Sequence, residues 1–379
     1  MKIEQSKWTD GDGWVSTHPL VLNDTAQLAL VFGERAVLKN PRRFQEIKEA
    51  YPCARIFGCS TAGEICGDQV FDNSLTVTAI SFESATVKVA SVTIERIEDS
   101  KEAGEDLARL LDKDGLVHVF VLSDGLKVNG SALVKGLVRQ LPPTVTLTGG
   151  LSGDKDRFQE TLVVGDREPE RDLIAVAGFY GERLKVGFGS MGGWDPFGPE
   201  RLVTRSTGNI LYELDGKSAL SLYKNYLGEH AQGLPATGLL FPLSIRFGES
   251  ESRVVRTILS VNEKDQSMVF AGDVPEDSYA QFMKANFNRL IDGAVGASII
   301  SSEGFDGVSP DLAILISCVG RKMVLKQRIE EEVEGIREIL GNKTIFTGFY
   351  SYGEISPSRF SGDCELHNQT MTITTILER

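Results

Sequence analysis

The hydrophobic positions of this chain fall into three stretches with one rhythm: an apolar strand, an amphipathic helix, a second strand entering a glycine-rich turn, and a third strand. The first copy runs Leu28–Gly33, Ile56–Ile65 and Leu75–Ile80. The second places Val117–Leu122, Val145–Asp154 and Leu173–Ala177 in the same order, and the third Leu312–Ser317, Ile345–Ile355 and Thr370–Thr374. The helix of the first copy starts at Asn40 as N-cap with Pro41 behind it, carries Phe44, Ile47 and Tyr51 on one face, and stops at Pro52. Leu133, Val134, Leu137, Val138 and Leu141 mark the second, ended by Pro142-Pro143. Leu325, Ile329, Val333, Ile336 and Leu340 mark the third, ended by Gly341-Asn342. The pattern predicts an α/β fold: mixed sheets flanked by helices, built from repeated β-α-β-β units, with two related halves packed around a shared crevice lined by the turns.

Between the second and third copies the pattern changes. Residues 186–199 are so rich in Gly and Pro that they read as a long surface loop, a wall or lid offering Trp194 and Phe197 to a pocket or else a solvent-exposed connector. Strands follow at Arg201–Arg205 and Ile210–Leu214, then the turn Asp215-Gly216 and a helix over Ala219–Leu227. Gly228–Gly238 reads as the join, which divides the chain into a lead-in (1–24), an N-terminal domain (25–227) and a C-terminal domain (228–379). Beyond it, Leu243–Phe247 is a strand, Val254–Ser260 pairs with Met268–Ala271 across a polar turn, Ser278–Leu290 is a helix, and Gly293–Gly304 is mobile or kinked.

The net charge of −13 argues against nucleic acid or an anionic membrane as the main partner. The polar N-terminus lacks the apolar core of a signal peptide, and no apolar run approaches the roughly 18 to 20 residues of a membrane span, so a cytoplasmic protein without membrane insertion is expected. Five cysteines without zinc-type spacing suit a reducing compartment.

Six motifs in order, Gly58-Cys-Ser-Thr-Ala-Gly-Glu-Ile65, Gly149-Gly-Leu-Ser-Gly-Asp154, Glu213-Leu-Asp-Gly-Lys-Ser-Ala219, Cys318-Val-Gly-Arg321, Gly348-Phe-Tyr-Ser-Tyr-Gly-Glu-Ile355 and Leu366-His-Asn-Gln-Thr370, resemble the FIST family (F-box and intracellular signal transduction), N-terminal and C-terminal regions both. The likeness runs from about residue 25 to the C-terminus. It implies a sensory module for a small ligand. It also implies similarity to stand-alone bacterial members that carry haem, sense nitric oxide and act through a partner histidine kinase. No F-box and no kinase, cyclase or phosphodiesterase segment is recognisable, so the expected output is a separate signalling protein.

The candidate chemistry lies at the turns. Arg321, Ser351, Tyr352 and Glu354 sit at the ends of neighbouring strands, where open α/β sheets bind ligands. Arginine takes a carboxylate and glutamate an ammonium group, which suits an amino-acid-like zwitterion. The same residues read equally as an internal Arg-Glu pair joining the strand ends. Ser60 and Ser152 recur beside Ser351 and either line the same hollow or cap backbone amides. Of four histidines, His118 lies in an apolar strand, and His18 and His230 lie in loop-like surroundings. The family resemblance favours His367 as a haem-iron ligand, with Asn368 to orient it. No CxxCH sequence exists, so covalent haem attachment is excluded. Cys59 invites a nucleophile reading at a strand-to-helix turn, but no GxSxG elbow and no partner histidine accompany it, and a binding protein without catalysis of its own is the expectation.

Overall fold

A computed structural model describes every residue except 20, 249–252 and 359–361. Three six-stranded mixed sheets and a fourth, larger sheet account for the strands found among the described residues. Each six-stranded sheet is centred on one of the repeats. Leu28–Gly33 runs parallel to Arg55–Ser60 and antiparallel to Ser74–Ser81. Leu116–Ser123 stands in the same relation to Thr146–Leu151 and Leu173–Tyr180, and Leu312–Cys318 to Ile345–Ser351 and Met371–Glu378. The parallel crossovers are the helices Pro41–Ala50, Gly130–Gln140 and Ile329–Leu340, the first capped by the Asn40 side chain as its sequence demands.

The units are locked together by exchange of the segment that follows each glycine-rich turn. Glu64–Cys66 of the first unit leaves its own sheet and pairs with Ile345–Ser351 of the third. Val163–Gly165 of the second pairs with Arg55–Ser60 of the first, and Gly353–Pro357 of the third with Thr146–Leu151 of the second. The exchange closes a ring. Alternate residues of the central strands, among them Phe32, Phe57, Phe120, Ile314 and Phe349, meet in one core between the sheets, while their neighbours pack outward, many beneath helices. Burial on both faces explains why these strands read as continuous apolar runs.

The lead-in is part of this structure. Lys2–Thr9 and Gly13–His18 form a hairpin whose first strand extends the sheet of the first unit along Ser74–Ser81, so His18 ends a strand.

Several sequence expectations are corrected. Residues 186–199 are not a loop: Leu184–Met191 pairs with Met371–Glu378, and Trp194–Thr207 is the long strand of the fourth sheet. Their glycines serve close approach, since a Cβ on Gly187 or Gly189 would lie 2.0 or 2.1 Å from the carbonyl oxygens of Ser301 or Ala297 on the helix above. Trp194 and Phe197 belong to hydrophobic cores rather than a lid. Ser278–Leu290 is not one helix, because Ala280 and Phe282 alternate with more exposed residues in the strand Tyr279–Ala285, and Asn286 then caps a helix, Phe287–Ser302, that continues through Gly293. The run Val254–Ser260 breaks at Thr257 into two strands, Arg253–Arg256 and Ile258–Asn262. The third helix begins later than its apolar pattern suggests, with Leu325 ending a separate short helix, Val319–Leu325.

Candidate functional site

The three turns meet. Gly58, Gly149 and Gly348 face Val31, Val121 and Leu315 at the same register in their units. Counting from them, Thr61, Ser152 and Ser351 are equivalent, and Ser60 corresponds to Leu151 and Tyr350. Ser60 Oγ donates to the Gly153 carbonyl at 2.9 Å, and the Gly153 amide donates back to the Ser60 carbonyl. The Ala62 amide donates to the Tyr350 carbonyl, and the Tyr352 amide to that of Leu151. Ser152 Oγ donates to the Ser123 carbonyl at 2.8 Å. The hollow expected at the turns is therefore filled by their own groups: Ser60, Ser152, Arg321, Ser351, Glu354 and Asn368 are fully buried, and Tyr352 nearly so, stacked on Phe158.

Two carboxyls repeat one arrangement at this centre. Glu64 accepts from Thr61 and from the Ser74 hydroxyl at 2.5 Å; Glu354 accepts from Ser351 at 2.5 Å and Thr370 at 3.0 Å. Burial outweighs these bonds and raises Glu64 to about 7 and Glu354 to about 8. Arg321 does not touch Glu354 but forms an ion pair with Glu332 at 2.8 Å and donates to the carbonyls of Gly192 and Leu290. The internal Arg321–Glu354 pair expected to join the strand ends is therefore not formed, because the carboxylate that meets the arginine is Glu332 on the next helix. Asn368 and Gln369 stitch the third unit to the fourth sheet: Asn368 accepts from the Thr257 amide, and Gln369 donates to Thr257 Oγ1 and the Leu239 carbonyl.

Open space lies where the fourth sheet meets the ring. A cavity of about 240 Å³ is lined by Ser131 and Lys135 of the second unit's helix, Glu365 of the strand Cys364–His367, and Phe247, Arg256 and Asp273 of the fourth sheet region. Arg256 is 4% exposed, spends Nε and Nη1 on main-chain carbonyls, and has no carboxylate ion pair among the described residues. Burial lowers it to about 10, against Asp273 and Glu365, which support its charge. Glu365 Oε2 is buried without a hydrogen-bond partner among the described residues, and burial raises its carboxyl, with Arg256 opposing. Lys135 reaches Asp273 at 2.8 Å. A larger groove, about 700 Å³, opens between residues 240–241, the start of the helix Phe287–Ser302 and the end of Val319–Leu325.

The FIST N domain profile matches residues 27–217 and the FIST C domain profile residues 219–357. The chain belongs to the FIST family. FIST domains are generally small-ligand sensory domains in signal transduction. An uncharacterized protein of Methanocaldococcus jannaschii is 24% identical over 335 residues, which is 82% of this chain and 62% of that protein, so this chain spans less than two thirds of that relative. Among solved structures, a chorismatase aligns at a TM-score of 0.34 with 8% identity, covering 99% of this chain and 98% of its own. A cyanuric acid hydrolase from A. caulinodans aligns at 0.18 with 9% identity, covering 78% and 99%. Likeness at that level carries nothing about chemistry.

Within this FIST protein, His367 does not fit haem ligation as placed. Its Nε2 lies 3.0 Å from the Ser356 carbonyl, its ring lines neither cavity, and burial lowers it to about 4. His118 has both ring nitrogens on threonine hydroxyls, Thr146 and Thr148. Exposed His230, in the 3-10 helix Gly228–Gly233, packs beside Phe241 at the larger groove. Cys59 is fully buried, and burial together with Glu64 pushes its thiol well up. No helix is long and apolar enough to cross a membrane among the described residues. Sequence reading missed Glu332, Arg256, Glu365, Lys135 and Asp273. The signal for Arg256 was present in Val254-Val-Arg-Thr-Ile258, where its alternation with Val254 and Ile258 places a charge on a buried face.

Proposed function

We propose that this FIST protein senses an amino-acid-type zwitterion in the cavity lined by Arg256 and Glu365, and passes occupancy to a separate signalling protein without catalysis of its own. The observation that carries the reading is a buried arginine without an ion-pair partner and a half-buried glutamate with one buried oxygen unbonded, both among the described residues, lining a space of about 240 Å³. A carboxylate on Arg256 and Lys135 and an ammonium on Glu365 complete both groups, and neither end alone does so. The lining comes from the second unit, the third unit and the fourth sheet, so a bound ligand ties three bodies together, and differential affinity for that arrangement is what a sensor needs. A histidine kinase is the partner class that the family resemblance implies, and a cytoplasmic location accords with it.

The test is a thermal-shift screen of amino acids against their decarboxylated amines and deaminated acids. A shift confined to zwitterions, and lost in Glu365→Gln, is the expected result; a ligand at a hundred times its dissociation constant adds about 2.7 kcal/mol. Equal shifts in Glu365→Gln, or binding of the acid alone, remove this reading.

A further inference from the structure

The groove of about 700 Å³ is separate from the charged cavity and has different chemistry. Its floor is apolar: Leu240, Phe241, Met323 and Leu325 line it, together with the exposed ring of Phe287. Its rim carries Lys284, Lys326 and Arg328. Arg328 is paired with Glu331, but Lys284 and Lys326 make no ion pair among the described residues. No acidic residue is among the groove's lining, on a chain whose net charge is −13.

The backbone supplies a second observation. Lys326 follows the helix Val319–Leu325 with φ +49° and ψ −113°, a conformation that glycine adopts freely and a side chain resists. The position therefore keeps a cation at the groove edge at the expense of local strain.

We propose that this groove binds a medium- to long-chain carboxylate, the chain lying on Leu240, Phe241, Met323 and Leu325 and the head group at Lys284 and Lys326. The apolar floor takes the chain out of water, and the ammonium groups of Lys326 and of Lys284, the latter facing Asp195 across the strand pair, supply the complementary charge. The site is independent of the zwitterion cavity.

The experiment titrates dodecanoate, below its micelle concentration, into the full chain by calorimetry, with dodecanol and dodecyltrimethylammonium as controls. Saturable one-site binding of dodecanoate is expected, with both controls at least about tenfold weaker. Lys326→Gly relieves the backbone, so the variant is expected to melt no lower than the parent while its dodecanoate affinity falls about tenfold. Lys284→Glu weakens binding further, and amino-acid-induced melting shifts stay unchanged in both variants. Absent dodecanoate binding, equal binding of the cationic amphiphile, or unchanged affinity in Lys326→Gly with Lys284→Glu overturns the proposal.

Discussion

Arg321 and Glu332 lie 2.8 Å apart with neither side chain exposed, and Glu332 also accepts from Tyr350 at 2.8 Å and Ser317 at 3.1 Å. The arginine is anchored in turn by the carbonyls of Gly192 and Leu290, so one buried pair joins the third unit's central strands to its outer helices. Removing one partner strands a charge. Glu332→Ala is expected to cost about 3–5 kcal/mol in chemical denaturation, whereas a paired apolar replacement of both residues costs much less. A single-variant loss below about 1 kcal/mol would show that the pair is hydrated in solution.

Glu64 and Glu354 impose a pH dependence of opposite sign to the usual carboxylate. Each is raised from 4.5, to about 7 and about 8, chiefly by burial, so the folded state holds these protons more tightly than the unfolded chain. Their contribution is full in acid, declines as pH rises above about 4.5, and is gone above about 8. His118 works the other way: burial lowers it from 6.5 to about 3, so its contribution is present above 6.5 and is lost as pH falls. Between pH 6.5 and 8 the glutamates therefore act without opposition from His118. Unfolding free energy measured across that interval is expected to fall in the parent and to flatten in Glu354→Gln, which keeps an acceptor oxygen for Thr370 and places an NH2 donor against the Ser351 hydroxyl, as the protonated acid places its OH, without the titration. Identical slopes in the two proteins would place the proton elsewhere.

Gly58, Gly149 and Gly348 share one constraint. A Cβ on each would lie 1.8 or 1.9 Å from the carbonyl oxygen of Val31, Val121 or Leu315 on the neighbouring parallel strand. Backbone, not a flexible side chain, is in the way. Gly348→Ala is expected to destabilise by at least about 3 kcal/mol, the upper range for overpacking, with a matching fall in melting temperature. Gly304, with nothing within 4 Å of its Cβ position, is the control expected to tolerate alanine.

Those glycines mark the boundary of what could be read beforehand. The three-fold recurrence, the central strands and the helix at Pro41 were legible because burial on both faces and a side-chain cap leave local signatures. The ring was not, since the exchange of Glu64–Cys66, Val163–Gly165 and Gly353–Pro357 is a property of long-range pairing. Gly187 and Gly189 looked like loop residues because glycine has the same letter whether it supplies flexibility or admits a neighbouring helix. Likewise Arg321 and Glu354 were close in sequence pattern, yet the arginine's partner lies eleven residues on, on the buried side of a helix whose charges otherwise face water. The Arg256–Glu365 cavity joins residues more than a hundred apart, and no spacing rule reaches that far.

Cys59 decides whether any covalent chemistry belongs at the turns. Its thiol is fully buried between strands, and both burial and the neighbouring Glu64 disfavour the thiolate that a nucleophile requires. Cys53 is exposed on the same unit and serves as the internal reference. In the folded protein at pH 8, iodoacetamide is expected to modify Cys53 while Cys59 stays unlabelled until denaturant is added, as read by peptide mass spectrometry. Cys66 and Cys318, both buried with raised thiols, should follow Cys59. Labelling of Cys59 as fast as Cys53 under native conditions would mean that the meeting point of the turns opens to solvent, and the turns, rather than the charged cavity, would become the place to look for a substrate.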